Sequence, residues 1–363
     1  MRKSGQNQER LESVSSKFKA IVACAAFLSA TVAGTEAPAA ETAASCELPK
    51  INLSERPNVA GEPTRVSLGL ILVDVTEIDD VRQQFFSDFA VFQTWADPRL
   101  KELGGCRFDV STIWSPELAF MNSGRILPAL SARATVGPQG EVRYIQRYRG
   151  SLSFRHALHE FPFDKHTIRI GMIPVRVDRH AYDLVVDQDL ISRVPDLTIL
   201  DWTLGDVSGR IGQTTHIVTG DIVNVFYFEI PATRLYQYYI WKVLMPLMLI
   251  VAMSWSVFWI NPAKFGPQIG MSATSMLTLI AFQFAMASVL PPLSYFTLLD
   301  WFITAATGVV FVALVESLTT SYLVSMGRSE LALKMDRVCR WAFPLVFFAI
   351  VALIFGTRLI HYD

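Results

Sequence analysis

Imidazole and carboxylate side chains that could bind a metal ion lie close together in one short segment. His156, His159 and Glu160 are followed by His166 within eleven residues. Zinc proteases hold their metal with two histidines four residues apart on a helix, with a glutamate directly after the first. The order here is different. We therefore interpret these residues as surface histidines on a loop, with no metal site or cofactor expected and metal modulation as the minor alternative.

A second set of residues indicates passage of water or ions rather than catalysis. Within the apolar segment 270–290, positions that alternate steps of four and three share one helical face. This face, which we call the second-span stripe, consists of Gly270, Thr274, Leu277, Ala281, Phe284 and Ser288. Small and hydroxyl side chains suit a helix that lines a water-filled path, but they also suit close packing within an ordinary bundle. The pattern alone leaves both interpretations open.

A pore interpretation of the second-span stripe requires several copies of the chain, because one helix cannot enclose a path. Cyclic symmetry is the usual solution for a ring of identical subunits. Leu277 lies between the polar ends of the stripe. A ring of such leucines would form a hydrophobic constriction that closes by expelling water.

Composition favours a membrane protein and excludes several other classes. Apolar residues make up 51% of the 363 residues and charged residues only 18%, and the mean hydropathy is +0.33. The formal net charge of −1 gives no reason to expect a nucleic-acid partner. Ser-His-Asp, Cys-His, P-loop and dinucleotide patterns are absent from usable contexts. We therefore expect no catalytic residues and no enzyme activity.

The N-terminal residues 1–39 are predicted to be a signal peptide. Lys17 and Lys19 precede the apolar run Ala20–Ala33, and small residues follow it. This run is too short to cross a bilayer, which takes roughly twenty residues. A lead segment, 40–62, would come next in the exported protein.

Two cysteines fall in the exported part of the chain. Cys46 and Cys106 would both meet an oxidising compartment, where they could form a disulfide. Four cysteines in total are too few for a disulfide scaffold. Pairing and two unrelated thiols both stay open at this stage.

Residues 63–235 show the alternation of a β-rich domain. Phe226, Phe228 and Ile230 face one way while their neighbours face the other, and Ile168 and Ile170 repeat the pattern. Many short runs of this kind, separated by Gly, Pro and Asp, predict an immunoglobulin-like antiparallel β-sandwich. The fold expected is thus an all-β extracellular sandwich followed by an α-helical four-span transmembrane bundle.

Residues 236–363 are predicted to form the transmembrane domain. Four apolar segments are each long enough to cross a bilayer as a helix: 240–259, 270–290, 298–324 and 341–360. The basic residues lie in the first and third connections, at Lys264 and from Arg328 onward. The positive-inside rule then predicts a multi-pass protein of the cell's inner (plasma) membrane, with its β-domain and C-terminus on the periplasmic or extracellular side.

Several short motifs support a family resemblance through their order and spacing. They are Trp95–Leu100, Trp114–Glu117 with Asn122, Phe161–Asp164, Arg234, Ser254–Trp259, Met276–Thr278 and Ala342–Pro344. Together they resemble the pentameric ligand-gated ion channel (Cys-loop receptor) superfamily, especially its bacterial members. The two cysteines that give the animal receptors their name would fall near Phe154 and Ile168, so the signature loop lacks its disulfide, as in bacterial members.

This resemblance implies a homopentamer in the lipid bilayer that opens a pore for inorganic ions when it binds a small-molecule agonist of unknown identity. It implies that a charge cluster, Asp80, Asp164 and Arg234, couples the two domains, and that Pro291 and Pro292 give the facing loop a rigid shape. Val175 falls at the position that matches one aromatic residue of the family's ligand site, Arg176 is next to it, and His216 lies in the loop expected to cap the site. An aromatic cage for amines is not visible at these positions.

Ion selectivity and the competing function class remain to be weighed. The segment before the second-span stripe has no acidic residue and one Lys264. Pro262-Ala263-Lys264 resembles the Pro-Ala-Arg motif of anion-selective members, although it lies about four residues earlier relative to Leu277. This gives a slight preference for anions. The alternative function is an exported sensory domain on a four-helix membrane anchor that signals to a cytoplasmic partner. Its inner connections would have to supply a docking surface, and they are short.

Overall fold

A computed structural model describes residues 46–57, 61–175, 182–216, 220–287 and 293–359. The predicted signal peptide lies outside these residues, as do Arg176, Ser288, Pro291 and Pro292. In the described part of the chain, strands from Thr64 to Arg234 precede helices from Gln237 to Leu359. This order matches the predicted succession of a β-sandwich and a helical membrane domain.

The strands form two sheets that face each other. The larger sheet contains β1 (Thr64–Asp79), β2 (Gln84–Ala96), β3 (Arg107–Asp109), β5 (Ser123–Pro128), β6 (Arg133–Val136), β7 (Glu141–Ser153) and β9 (Tyr182–Arg193). The smaller sheet contains β4 (Leu118–Phe120), β8 (Lys165–Pro174), β10 (Trp202–Leu204), β11 (Ser208–Thr215) and β12 (Ile222–Arg234). Their pairing is antiparallel except between β1 and β9, which run parallel.

The core of the sandwich comes from the alternating positions that the sequence singles out. Phe226, Phe228 and Ile230 on β12 are fully buried, and Ile168 and Ile170 on the neighbouring β8 are buried with them. In β12 the register places Phe228 opposite Ile170 and Ile230 opposite Ile168. The inward residues of the two strands therefore face the same layer, as expected for two sheets packed on a common core.

A disulfide attaches the segment 46–57 to the sandwich. Cys46 and Cys106 are bonded across a sequence separation of 60 residues, so of the two alternatives the structure has the pair. Arg99 adds to this attachment by donating to the backbone oxygens of Asn52 and Glu55. A loop of this length closed by a disulfide stabilises the folded state by roughly 4 kcal/mol in the chain-entropy account.

Four helices among the described residues are long and apolar enough to cross a membrane. They are α1 (Gln237–Trp259), α2 (Phe265–Ala287), α3 (Leu298–Ser325) and α4 (Ser329–Leu359). The last begins at Ser329, not at residue 341 as the hydropathy pattern predicts. Its first three turns contain charged residues. A hydropathy pattern does not count these residues as part of an apolar span, although glutamate, lysine and arginine are good helix formers.

The two domains are joined with very little chain between them. Only Leu235 and Tyr236 separate the end of β12 from the start of α1. In addition, Leu158 and Phe161 from the sandwich belong to the same buried cluster as Val243 and Leu299 of the helices. A displacement of β12 or of the 158–161 loop therefore acts directly on the helical bundle.

Candidate functional site

The second-span stripe lies on the exposed side of α2. Gly270, Thr274 and Ala281 are exposed, and the side chains of Leu277 and Phe284 are 69% and 76% exposed. Leu249 of α1 and Leu345 of α4 are as exposed, at 61% and 69%, so on a membrane helix this exposure fits contact with lipid, with a neighbouring subunit or with a water-filled path. Ser288, the sixth predicted position, lies outside the described residues.

The opposite side of α2 explains why the stripe faces away from the bundle. Gln268, Ser272, Ser275 and Leu279 are buried there against the other helices. Ser272 contacts Ser317 of α3 through their hydroxyl groups at 2.8 Å. The polar and apolar contacts on this side fix the rotation of α2, so the stripe is available to something outside the single chain.

A buried ion cluster joins three segments at the membrane end of the sandwich. Asp80 follows β1, Asp164 immediately precedes β8, and Arg234 ends β12. The sequence separations are 154 and 70 residues from Arg234, yet the structure brings all three predicted residues together. The pairing of β8 with β12 places Asp164 beside Arg234, whose backbone N–H donates to the Asp164 carbonyl at 3.3 Å.

The guanidinium of Arg234 binds both carboxylates in a forked geometry. Its Nη1 and Nη2 donate to Asp80 at 2.7 and 2.9 Å, and its Nε and Nη2 donate to Asp164 at 2.8 and 3.0 Å. The ring of Trp202 lies 4.1 Å and that of Phe161 4.8 Å from the guanidinium carbon. Planar guanidinium suits this combination of bidentate hydrogen bonds and aromatic contact.

Two histidines complete this group of side chains. His156 Nε2 lies 3.1 Å from Asp80 Oδ1, and His166 Nε2 lies 2.7 Å from Asp164 Oδ2. We call Asp80, Asp164, Arg234, His156 and His166 the Arg234 cluster. The expectation of surface histidines was wrong for His156, whose side chain is 1% exposed, and for His166, at 13%.

The surroundings of the two aspartates keep them ionised. Burial alone would raise the pKa of Asp164, but hydrogen bonds from His166 and Arg234, together with the positive charge of Arg234, lower this pKa to about 2. The pKa of Asp80 is lowered for the same kinds of reason despite its burial. The resulting stabilisation is complete above the unfolded-state pKa near 3.8 and is lost as the pH falls towards 2.

A second set of contacts between the domains was missed by the sequence analysis. The Tyr295 hydroxyl accepts a hydrogen bond from the Leu158 backbone N–H at 2.9 Å, and the ring of Tyr295 lies 4.0 Å from that of His159. The Leu298 N–H, at the start of α3, donates to the His159 carbonyl at 3.0 Å. Tyr295 and Phe296 are two adjacent aromatic residues in the short connection before α3, and this is the sequence signal that could have identified Tyr295.

The predicted ligand-site residues lie away from the Arg234 cluster. Val175 follows β8 and is 48% exposed. His216 follows β11, where its backbone N–H donates to the Asp221 carbonyl at 2.8 Å. Arg176 is outside the described residues, so the structure places two of the three. No group of three or more His, Cys, Asp or Glu side chains in the described ranges is arranged to hold a metal ion.

Two family models match the chain in the order of its domains. The neurotransmitter-gated ion-channel ligand binding domain matches residues 48–201. The neurotransmitter-gated ion-channel transmembrane region matches residues 243–332. The first match covers most of the sandwich and the second covers most of the helical domain.

Curated relatives agree with these matches across both domains. The chain is 25% identical over 301 residues to a proton-gated ion channel of Gloeobacter violaceus, an alignment that covers 81% of this chain and 83% of the relative. It is 25% identical over 297 residues to the human gamma-aminobutyric acid receptor subunit gamma-1, covering 77% and 62%. For the human subunit gamma-3 the identity is 26% over 291 residues, covering 74% and 60%. The chain thus spans less than two thirds of either receptor subunit.

Proposed function

We propose that this chain, which belongs to the pentameric ligand-gated ion channel superfamily, forms a homopentamer in which an agonist bound to the β-sandwich ring opens a central ion pore. The protein is a multi-pass membrane protein and not an enzyme, as the sequence predicted. The proposed domains are a signal peptide at 1–39, a lead segment at 40–62, a ligand-binding sandwich at 63–235 and a pore domain at 236–363. The β-domain and the C-terminus lie on the periplasmic or extracellular side of the inner membrane.

The observation that carries this proposal is the direction of the second-span stripe. The small and hydroxyl residues Gly270, Thr274 and Ala281 lie on the exposed side of α2 together with Leu277 and Phe284, whereas the other side of the helix is packed against the bundle. In a ring of five chains the stripe can line the central path, where its small and hydroxyl side chains leave room for water and its leucines form the constriction. Gly270, Thr274, Leu277, Ala281, Phe284 and Ser288 are the proposed pore-lining residues.

The proposed route from agonist to pore runs through the Arg234 cluster. Agonist binding between adjacent sandwiches, near Val175, Arg176 and His216, would move β12 relative to β8. Arg234 ends β12 and holds both Asp80 and Asp164, so this movement reaches α1 within two residues. The loop at Pro291 and Pro292 would receive the same movement and pass it to α2. The agonist can open the pore only if it binds the open state more tightly.

The alternative, a sensory domain on a membrane anchor, is not favoured, because both matching families are ion-channel families. Electrophysiology on the purified full-length chain in planar bilayers tests the choice. We expect unitary current steps when small amines, amino acids, carboxylates or acidic pH are applied in turn. Silence with every probe, or a stoichiometry other than five by native mass spectrometry, would contradict the proposed function.

The proposed preference for anions depends on Lys264. This residue is exposed and directly precedes α2, so five copies would place a ring of positive charge at the inner mouth of the pore. Replacing Lys264 by glutamate should move the reversal potential in a salt gradient towards the value for cations, because a charged ring attracts ions of opposite sign. Arg328→Glu, in the connection between α3 and α4, is the matched control and should leave the reversal potential unchanged. An unchanged potential in Lys264→Glu would contradict this assignment.

A further inference from the structure

Six buried polar atoms inside the helical bundle have no hydrogen-bond partner in the described part of the chain. They are Oε1 and Nε2 of Gln268 on α2, both carboxylate oxygens of Glu316 on α3 and both carboxylate oxygens of Asp336 on α4. The exposed fractions of these residues are 0%, 7% and 0%. We call the three residues the Glu316 cluster. Buried polar atoms are nearly always satisfied in folded proteins, so a group of unpartnered ones indicates a bound species.

The three side chains of the Glu316 cluster meet although they come from three helices. The side chains of Glu316 and Gln268 both lie beside the Asp336 carboxylate. At the same level of the bundle, the hydroxyl groups of Ser272 on α2 and Ser317 on α3 are 2.8 Å apart. This contact holds the two helices together next to the cluster. The three residues therefore form a single polar site between otherwise apolar helices.

The basic side chain next to the Glu316 cluster does not pair with its carboxylates. Arg340 lies one turn after Asp336 on α4 and acts on its charge. However, Arg340 Nε donates to the Phe258 carbonyl at 2.7 Å, and its guanidinium carbon lies 5.7 Å from the ring of Trp259. Neither carboxylate of the cluster accepts a hydrogen bond from it. Unpaired charges are costly within membrane helices, so two ionised carboxylates at this place need a counter-ion.

The donor atoms of the Glu316 cluster fit calcium better than magnesium. Two carboxylates and one amide offer five oxygen atoms, all without a partner among the described residues. Ca²⁺ takes about six to eight oxygen ligands in a flexible geometry and accepts carboxylates through one or both oxygens. The amide of Gln268 can present its oxygen, because a flip of the side chain exchanges O and N. Mg²⁺ requires a near-ideal octahedron and gives up water reluctantly, which suits a buried site less.

The thiol of Cys339 is outside this set of ligands. Cys339 is a free cysteine that also lies beside Glu316, and a thiolate ligand would favour zinc. In the described ranges, however, no three His, Cys, Asp or Glu side chains are arranged to hold a metal ion together. Cys339 and the two carboxylates therefore do not converge on one point. The two carboxylates with the amide are the remaining set, and oxygen ligands favour a hard cation.

We propose that Gln268, Glu316 and Asp336 form a calcium-binding site that joins α2, α3 and α4. The two positive charges of Ca²⁺ neutralise the two carboxylates, and the ion is the missing partner of the Gln268 amide oxygen. The second-span stripe lies on the opposite side of α2 from Gln268, so the bound ion holds the proposed pore-lining helix against the two helices behind it. Calcium binding does not depend on whether the chain conducts ions.

Thermal unfolding of the full-length protein in detergent tests calcium binding without any need for an agonist. The wild type should gain at least about 3 °C in Tm between EDTA and millimolar CaCl₂, because a ligand that binds only the folded state stabilises it. Glu316→Gln and Asp336→Asn should each abolish this gain. Glu330→Gln removes an exposed carboxylate at the start of α4 and should keep the gain. Cys339→Ser should keep it as well.

The double variant Glu316→Gln with Asp336→Asn keeps the test decisive if a single variant does not fold. It has no buried charge at this site, so its Tm should not depend on calcium. An equal Tm for the wild type in EDTA and in CaCl₂ would overturn the site, since the carboxyl groups would then share a proton instead. A gain that persists in the double variant would place the ion elsewhere and overturn it too. A larger gain with MgCl₂ would overturn the choice of calcium.

Discussion

Leu277→Ser is expected to open the channel without agonist or to lower the agonist concentration needed for half-maximal current at least about tenfold. Burying a leucine side chain is worth about 1.5–3 kcal/mol, and five copies would meet in the closed constriction. Serine does not expel water, so the closed state loses the dry constriction that blocks the passage of ions. A change of only about 1.4 kcal/mol in the closed–open free energy changes the ratio tenfold.

The control for this variant is the same substitution on another helix. Leu249 on α1 is 61% exposed, close to the 69% of Leu277, so Leu249→Ser introduces an equal hydroxyl at a comparable position off the stripe. It should leave the resting current at the wild-type level. Wild-type gating in Leu277→Ser, measured in planar bilayers, would show that the constriction is elsewhere on α2 or on another helix.

Arg234→Gln is expected to abolish agonist-dependent current and to destabilise the protein by about 3–5 kcal/mol, because two buried carboxylates lose their shared cation. The side chain of Arg234 is 2% exposed. A smaller effect is expected for Arg143→Gln, since its pair with Glu141 is largely exposed and such pairs contribute at most about 1 kcal/mol. Thermal unfolding and single-channel recording measure the two effects separately.

Arg234→Lys keeps the test decisive if the glutamine variant does not assemble. Lysine retains the positive charge but cannot bind Asp80 and Asp164 with the planar fork of arginine. We expect intermediate stability and weakened gating, with agonist binding to the sandwich preserved. Normal gating in Arg234→Lys would mean that the positive charge alone is sufficient. Normal gating in Arg234→Gln would contradict the proposed coupling route.

Local pattern was enough to predict the elements of this fold, whereas contacts between distant segments were not visible in it. The alternation of Phe226, Phe228 and Ile230 predicted their burial, because side chains on a strand alternate between faces. Apolar length predicted the four membrane helices. It placed the start of α4 too late, since the charged residues after Ser329 are helical without being apolar.

At the candidate site, contacts between distant segments matter more, and the local sequence pattern did not predict them. The family resemblance predicted that Asp80, Asp164 and Arg234 act together, and the structure brings them into contact. The resemblance did not include His156 or Tyr295. His156 contacts Asp80 across 76 residues, and Tyr295 contacts Leu158 across 137 residues. No periodicity in a single sequence records such pairs, because they depend on how segments that are far apart in the chain meet in the folded protein.

The hydroxyl groups along α2 are already committed to their own helix. Thr274 Oγ1 donates to the Gly270 carbonyl at 2.8 Å, and Thr278 Oγ1 donates to the Thr274 carbonyl at the same distance. Each hydroxyl therefore offers only its lone pairs to the space beyond the helix. In the proposed pore, a halide ion at the level of Thr274 would find no hydroxyl proton to replace those of its hydration shell, so it would keep its water molecules there.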